Sequence, residues 1–178
     1  MTREQGWHLR QVGDPDTDPL YELMCIPAVY RYLADNQVPP RAVLEDWIAR
    51  SHRDFEESSI GLWVLEHSKG QLVGCVRLEA DPVSRSAELT YVLHPRVWGM
   101  GLATRMSWTV MQHAFSQSAI DFIIAGMDGP NTASLAVMRR LGMTFRRTVQ
   151  YPAGPGVEYL FRRTDPAPSP VPEVFPAF

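Results

Sequence analysis

Cysteine is scarce in this sequence: Cys25 and Cys75 are the only two, both in apolar surroundings and without metal-ligand spacing. Buried, reduced thiols are therefore expected, Cys25 in a helix and Cys75 in a strand. Long apolar runs are missing as well. No stretch approaches the length of a membrane span, and the opening MTREQGWHLR has no apolar core of signal-peptide length. A cytoplasmic protein with no membrane contact is the expectation. Neither sign of charge dominates, since the net charge is -3 and the pI about 5.9. The basic residues are scattered in pairs such as Arg139-Arg140, Arg146-Arg147 and Arg162-Arg163, which argues against nucleic acid as a main partner. His8, His52, His67, His94 and His113 never fall into HExxH spacing, so no metal is implied. GxSxG is absent and no Cys and His can be brought together from the sequence, which argues against covalent catalysis. No repeat of solenoid period is present.

What remains is an ordinary folded composition, with 45% hydrophobic and 21% charged residues in 178 positions. That length supports one domain with a sizeable core. Alternation predicts a strand over 7–12, and the turn-forming DPDTDP predicts a loop after it. Helical spacing covers 19–33 and 40–55, the second with proline at its start. Two strands over 60–66 and 72–79, joined by a glycine-containing loop at 67–71, should pair antiparallel. A third over 87–94 puts Glu88, Thr90 and Val92 on one face and Leu89, Tyr91 and Leu93 on the other. Residues 101–116 form a helix apolar on nearly every side, hence buried. A central strand over 120–127 and a helix over 131–141 ending at Gly142 follow. Two last strands, 143–151 and 157–164, flank a loop at 152–156. DPAPSPVPEVFPAF is too proline-rich for a regular element and is expected to be a docked arm, anchored by Val174, Phe175 and Phe178. The expected division is a domain over 1–164 and an arm over 165–178.

RVWGMGLATRM has two glycines one residue apart where the longest helix begins. Glycine is costly there unless the backbone needs a positive φ or something must approach it. A helix N-terminus offers unpaired N–H groups and a dipole that favours negative charge, so a phosphate is the natural occupant. A tight turn with one capping glycine would explain only one of them. The lysine and hydroxyl of a P-loop are missing, since Leu102-Ala103 follows. The third glycine of a dinucleotide fingerprint is replaced by Thr104.

The run Arg96-Val97-Trp98-Gly99-Met100-Gly101 resembles the signature of the GNAT superfamily of acyl-CoA-dependent N-acyltransferases: Gln or Arg, two residues, Gly, one residue, Gly or Ala. AELTYVLHPRVWGMGLATRM and NTASLAVMRRLGM resemble the branch that acetylates ribosomal-protein N-termini. The resemblance implies an α/β fold, a GNAT-like mixed and mostly antiparallel sheet flanked by helices, with acetyl-CoA entering where two neighbouring strands splay apart. It implies that residues 96–104, through Leu102, Ala103 and Thr104, bind the pyrophosphate by backbone amides. Tyr91, Val92 and Leu93 match the strand that pairs with the pantetheine arm, where side-chain identity matters less. Glu88 matches a catalytic carboxylate that accepts the amine proton through water; a solvent-facing strand carboxylate is the alternative. Asn131 is expected to cap its helix and contact the cofactor. Ser134 can support the same cap, and the resemblance implies that it also contacts the pantetheine arm and donates a proton or hydrogen bond to the leaving sulfur.

The tyrosine that many members carry at the start of this helix is missing, which leaves the acid open. Tyr151 and Tyr159 flank the last loop and could enter the cleft, but are more simply strand residues; Trp47 and Trp63 are more simply core. The implied activity is direct acetyl transfer in a ternary complex to a primary amine on a protein N-terminus, a peptide or a small molecule. Aminoglycoside or polyamine acetylation, and a non-catalytic acyl-CoA-binding module, are the alternatives. Acceptor specificity is expected in the first two helices and the final loop, where Asp35, Glu45, Asp46 and Glu158 attract a cationic amine or form a solvated surface. The arm's terminal aromatics make a homodimer an expectation.

Overall fold

Short apolar stretches alternating in burial build a seven-stranded sheet in the order β1-β2-β3-β4-β5-β7-β6. The computed structural model describes residues 6–33, 36–68, 70–81, 83–152 and 154–176. Strands β1 (Trp7–Gln11), β2 (Leu62–His67), β3 (Gln71–Asp81) and β4 (Ser86–Leu93) are antiparallel neighbours. Strand β5 (Phe122–Asp128) lies parallel to β4, and β7 (Gly154–Arg162) and β6 (Thr144–Tyr151) continue antiparallel. A parallel neighbour requires a crossover. Helix α4 (Leu102–Gln117) supplies it between β4 and β5.

The other helices are α1 (Thr17–Met24), α2 (Pro27–Tyr30), α3 (Arg41–Ser58) and α5 (Thr132–Arg140). Three differences from the sequence reading have local causes. The helix expected over 19–33 is two helices, because Pro27 has no N–H to donate and its ring disfavours helical backbone at Ile26, which sits at ψ 122. The loop expected at DPDTDP is a 3-10 turn that runs into α1 at Thr17. Asp16 sets this turn by accepting from Gly13 N–H at 2.8 Å. Strand β7 begins at Gly154, since its ladder with β6 reaches Tyr151↔Gly154 and leaves a shorter loop.

The sheet separates two cores. One face packs Trp63, Val76, Leu89 and Ile123 against Met106, Trp108, Val110 and Met111 of α4 and Met138 of α5. The other packs Val64, Cys75 and Val92 against Leu20, Met24, Val29, Leu44 and Ile48. Both cysteines are free, Cys75 buried and Cys25 half-buried at the end of α1. Burial pushes the Cys75 thiol up to about 12. Strand β5, expected to be buried throughout, alternates: Ile123, Ala125 and Met127 face the core while Ile124 and Gly126 are half-buried. After β7 the arm returns to α4, where Phe175 is buried and Val174 exposed. Phe178 and Asp35 lie outside the described residues. No helix among the described residues is long and apolar enough to cross a membrane.

Candidate active site

Strands β4 and β5 share a ladder only over Ser86↔Phe122, Ala87↔Ile123 and Glu88↔Ile124. Both then continue unpaired with each other, β4 to Leu93 and β5 to Asp128. A cavity of about 790 Å³ occupies this gap and reaches the start of α4. Every site position read from the sequence lines it except Arg96. The motif's first residue is exposed, and its backbone N–H donates to His94 Nδ1 at 3.1 Å. Burial, and then the Arg96 charge, hold the His94 imidazole below its ordinary range, consistent with an accepting nitrogen.

The loop from 95 to 101 is held from two sides. Val97 is buried in the core, and Trp98, itself half exposed, donates its indole N–H to Leu93 O at 2.8 Å. Gly99 and Gly101 sit at φ +75 and +77, and a Cβ on either would meet nothing within 4 Å. Positive φ therefore demands glycine at both, and the space in front of their backbone is open. Gly101 is the N-cap of α4 and makes no side-chain cap, so the first N–H groups of a 16-residue helix face that space. Such a cradle fits a phosphate-bearing cofactor.

At the other end Glu88 stands at the last paired rung of β4, exposed to the cavity. Its carboxyl is raised above the usual range, first because surrounding protein strips part of its water, then by the charges of Glu79 and Glu158, with Arg77 opposing. Asn131 caps α5 by accepting from Ser134 N–H at 3.1 Å. Ser134 Oγ lies 2.6 Å from the hydroxyl of Tyr91, which also donates to Ser134 O at 3.2 Å. The sequence reading gave the Tyr91 side chain little weight; in the fold it ties β4 to α5. Burial pushes its phenol up to about 12, against the pull of the Ser134 bond.

Further contributors come from the stretch over 19–33 where acceptor specificity is expected, though no residue of it was singled out. Ala28, Val29, Tyr32 and Leu33 line the cavity, as does Arg140 of α5. Tyr151 lies across the sheet: a Cβ on Gly126 would sit 2.2 Å from its hydroxyl, and one on Gly156 2.4 Å from its ring. Two strand glycines opposite one tyrosine were the available signal. Of the acidic residues considered for amine attraction, Glu45 and Asp46 form i,i+4 pairs with Arg41 and Arg50 on α3. Glu158 is clamped by Arg147 at 2.8 and 3.0 Å and by Arg146 at 2.7 Å. None of the three lines the cavity. Trp63 is fully buried, and Trp47 is half-buried beneath the Arg77 guanidinium, 5.0 Å from its ring centre.

The sequence profile of the family described as Acetyltransferase (GNAT) domain matches residues 8–144. The uncharacterized protein YkkB of Bacillus subtilis (strain 168) is 23% identical over 146 residues, spanning 80% of this chain and 84% of that protein. The fold is shared with the ribosomal-protein α-N-acetyltransferase RimL in complex with coenzyme A, at TM-score 0.76 and 17% identity, covering 90% of this chain and 96% of that one. It is shared as well with spermidine N-acetyltransferase from Vibrio cholerae in complex with coenzyme A and spermine, at TM-score 0.74 and 16% identity, covering 89% and 96%.

Proposed function

Because this chain belongs to the acetyltransferase (GNAT) domain family and takes its acetyl group from acetyl-CoA, we propose that it transfers acetyl directly to a single primary amine held at Glu88, as on a protein or peptide N-terminus. The observation that carries this reading is the interrupted β4–β5 ladder, with the phosphate cradle at one end of its gap and Glu88 and Ser134 on its walls. Bound acetyl-CoA supplies a thioester carbonyl open to attack and a thiolate that leaves. Backbone N–H groups from Gly101 to Thr104 hold the phosphates, and the unpaired edge of Tyr91, Val92 and Leu93 orients the arm that follows. Glu88 accepts the amine proton through water, a role suited to a carboxylate with a raised pKa. Ser134 Oγ presents a proton to the cavity, with Asn131 fixing the helix end beneath it.

The lining favours one ammonium over several. Glu88 is the only carboxylate among the described residues that line the cavity, and Ala28, Val29 and Leu33 add apolar lining. A polyamine would leave further charges without partners. Polyamine acetylation is the second reading, motivated by the Vibrio cholerae fold relative.

The test has two stages. Acetyl-CoA at about 100 times its Kd should stabilise the protein by about 2.7 kcal/mol, a Tm rise of about 5 to 11 °C, with NAD and ATP as controls. Release of CoA is then followed with N-terminal peptides, spermidine and aminoglycosides. Turnover is expected with peptides; preference for spermidine selects the second reading, and binding without turnover on any amine selects a binding module.

A further inference from the structure

Glu88 has a second carboxylate directly opposite it on the neighbouring strand. The β3–β4 register pairs Cys75↔Val92, Arg77↔Thr90 and Glu79↔Glu88, so these side chains all leave the sheet on the α1–α3 side, where Cys75 and Val92 are core. Opposed residues hold their Cβ atoms about 5 Å apart, and like charges there repel. The fold relieves only one of the two. Arg77, buried and with its guanidinium 5.0 Å from the centre of the Trp47 ring, pairs with Glu79 Oε2 at 2.9 Å. Arg50 of α3 stands 3.8 Å from Glu79 Oε1. Glu88 receives neither cation: among the described residues it makes no ion pair and no side-chain hydrogen bond.

Glu79 lies outside the cavity lining, so it reaches the reaction only through Glu88. We propose that Glu79 is a positioning residue for acetyl transfer: its charge, moored by Arg77 and Arg50 opposite Glu88, makes the base hold the amine proton more tightly than an isolated strand carboxylate would. The inference rests on Glu88 acting as the base. The other groups around Glu88 do not take over this part. Glu158 of β7 pushes in the same direction as Glu79 but less, and it is clamped by Arg146 and Arg147 of β6. Arg77 opposes both from β3. Asp54 of α3 adds a carboxyl that is itself raised, first by burial and also by the Glu79 charge, against the pull of Arg77. Tyr151 of β6 has its phenol raised by burial, with Glu158 and Glu88 adding to it. Tyr32 and Arg140 complete the ionisable groups that share the cavity wall with Glu88 and Tyr91. Of all these, only Glu79 combines a place on the opposing rung with cations that fix its charge there.

The pH profile of kcat/KM is followed with acetyl-CoA and an N-terminal peptide for the native chain, Glu79→Gln, Glu79→Asp and Arg50→Ala. The Glu79 side chain is 45% exposed and that of Arg50 51%, so neither site decides folding. Protonation of the amine itself is common to all four proteins, and each variant-to-native ratio therefore isolates Glu88. Without the opposing charge Glu88 ionises at lower pH. Glu79→Gln should gain about threefold on the acid limb relative to its own plateau, the size of one cross-strand charge pair. Glu79→Asp should keep the native profile, and Arg50→Ala, which takes a cation away from Glu79, should lose on the same limb. Titration of the Glu88 carboxyl by carbon NMR in the same proteins needs no acceptor and should move in the same directions. A Glu88 titration unchanged in both Glu79→Gln and Arg50→Ala overturns the proposal and leaves Glu88 as the base. A loss equal at every pH in both Glu79 variants overturns it too, since that is what a merely structural residue would give. A titration that moves as expected, beside a native profile that Glu88→Gln leaves unaltered, overturns the reading of Glu88 as the base and the role of Glu79 with it.

Discussion

Glu88 and Tyr91 project from opposite faces of one strand, yet both line the same gap because β4 loses its partner beside them, and Ser134 meets Tyr91 from α5. A base whose carboxyl is held above its ordinary range must lose a proton before it can act. Turnover should therefore fall as pH drops through that raised value, and Glu88→Gln should lower kcat/KM about a hundredfold and erase this acid limb. The stability effect has the opposite sign. A raised carboxylate pKa makes the ionised group a cost to the fold above its unfolded value, so Glu88→Gln should keep or raise Tm at pH 7. A lower Tm with an unchanged pH profile would return Glu88 to a strand surface role. For the hydroxyl pair, the 2.6 Å contact with Tyr91 orders the Ser134 hydroxyl at the cavity wall. Tyr91→Phe and Ser134→Ala should each cost about ten- to a hundredfold in kcat with KM for acetyl-CoA held. The double variant should cost no more than the worse single one; additive losses would mean that the two act separately.

Elements were legible wherever their signal is local. Helix α4 and its glycine loop read correctly because cap, dipole and positive-φ positions are adjacent in sequence. The break at Pro27 was obscured by apolar spacing that continues across it, although the proline itself was visible. The stretch that walls the cavity was expected to set acceptor specificity, but as one helix over 19–33 and not as a separate short α2. The Tyr91–Ser134 contact joins residues 43 apart, and no periodicity predicts which strand residue meets which helix. Tyr151 is the same problem in a sheet: its site is made by glycines on two other strands. Gly126→Ala tests whether that placement serves acceptor binding. The new methyl must displace the Tyr151 hydroxyl, so KM for the amine should rise while the Kd for coenzyme A stays constant. Loss of both together would mark a general disturbance of β5 instead.

At the scale of the molecule the two cores share one sheet, and the segments on its α1–α3 side are joined by a polar clamp as well as by packing. Arg10 on β1 reaches Asp16 at 2.7 and 2.8 Å, in the turn before α1, and Glu66 on β2 at 3.1 Å. Asp16 is buried, whereas the Arg10 side chain is 42% exposed, so solvent screens the pair from one side. Burial alone would push the Asp16 carboxyl up. The Arg10 bonds and the Gly13 N–H outweigh it, and the carboxyl lies below its ordinary value. A depressed carboxylate contributes stability that is present above the unfolded value and lost as pH falls through the lower folded one. The native protein should therefore begin to lose Tm only below about pH 4, the ordinary carboxylate range. Asp16→Asn leaves Arg10 with Glu66 alone and removes the acceptor that sets the turn into α1, a loss of about 2 kcal/mol. Its Tm should be lower at pH 7 and flatter through the acid range, the two curves converging at low pH. Parallel curves at all pH values would show that acid unfolding begins elsewhere and that the clamp stabilises by geometry alone.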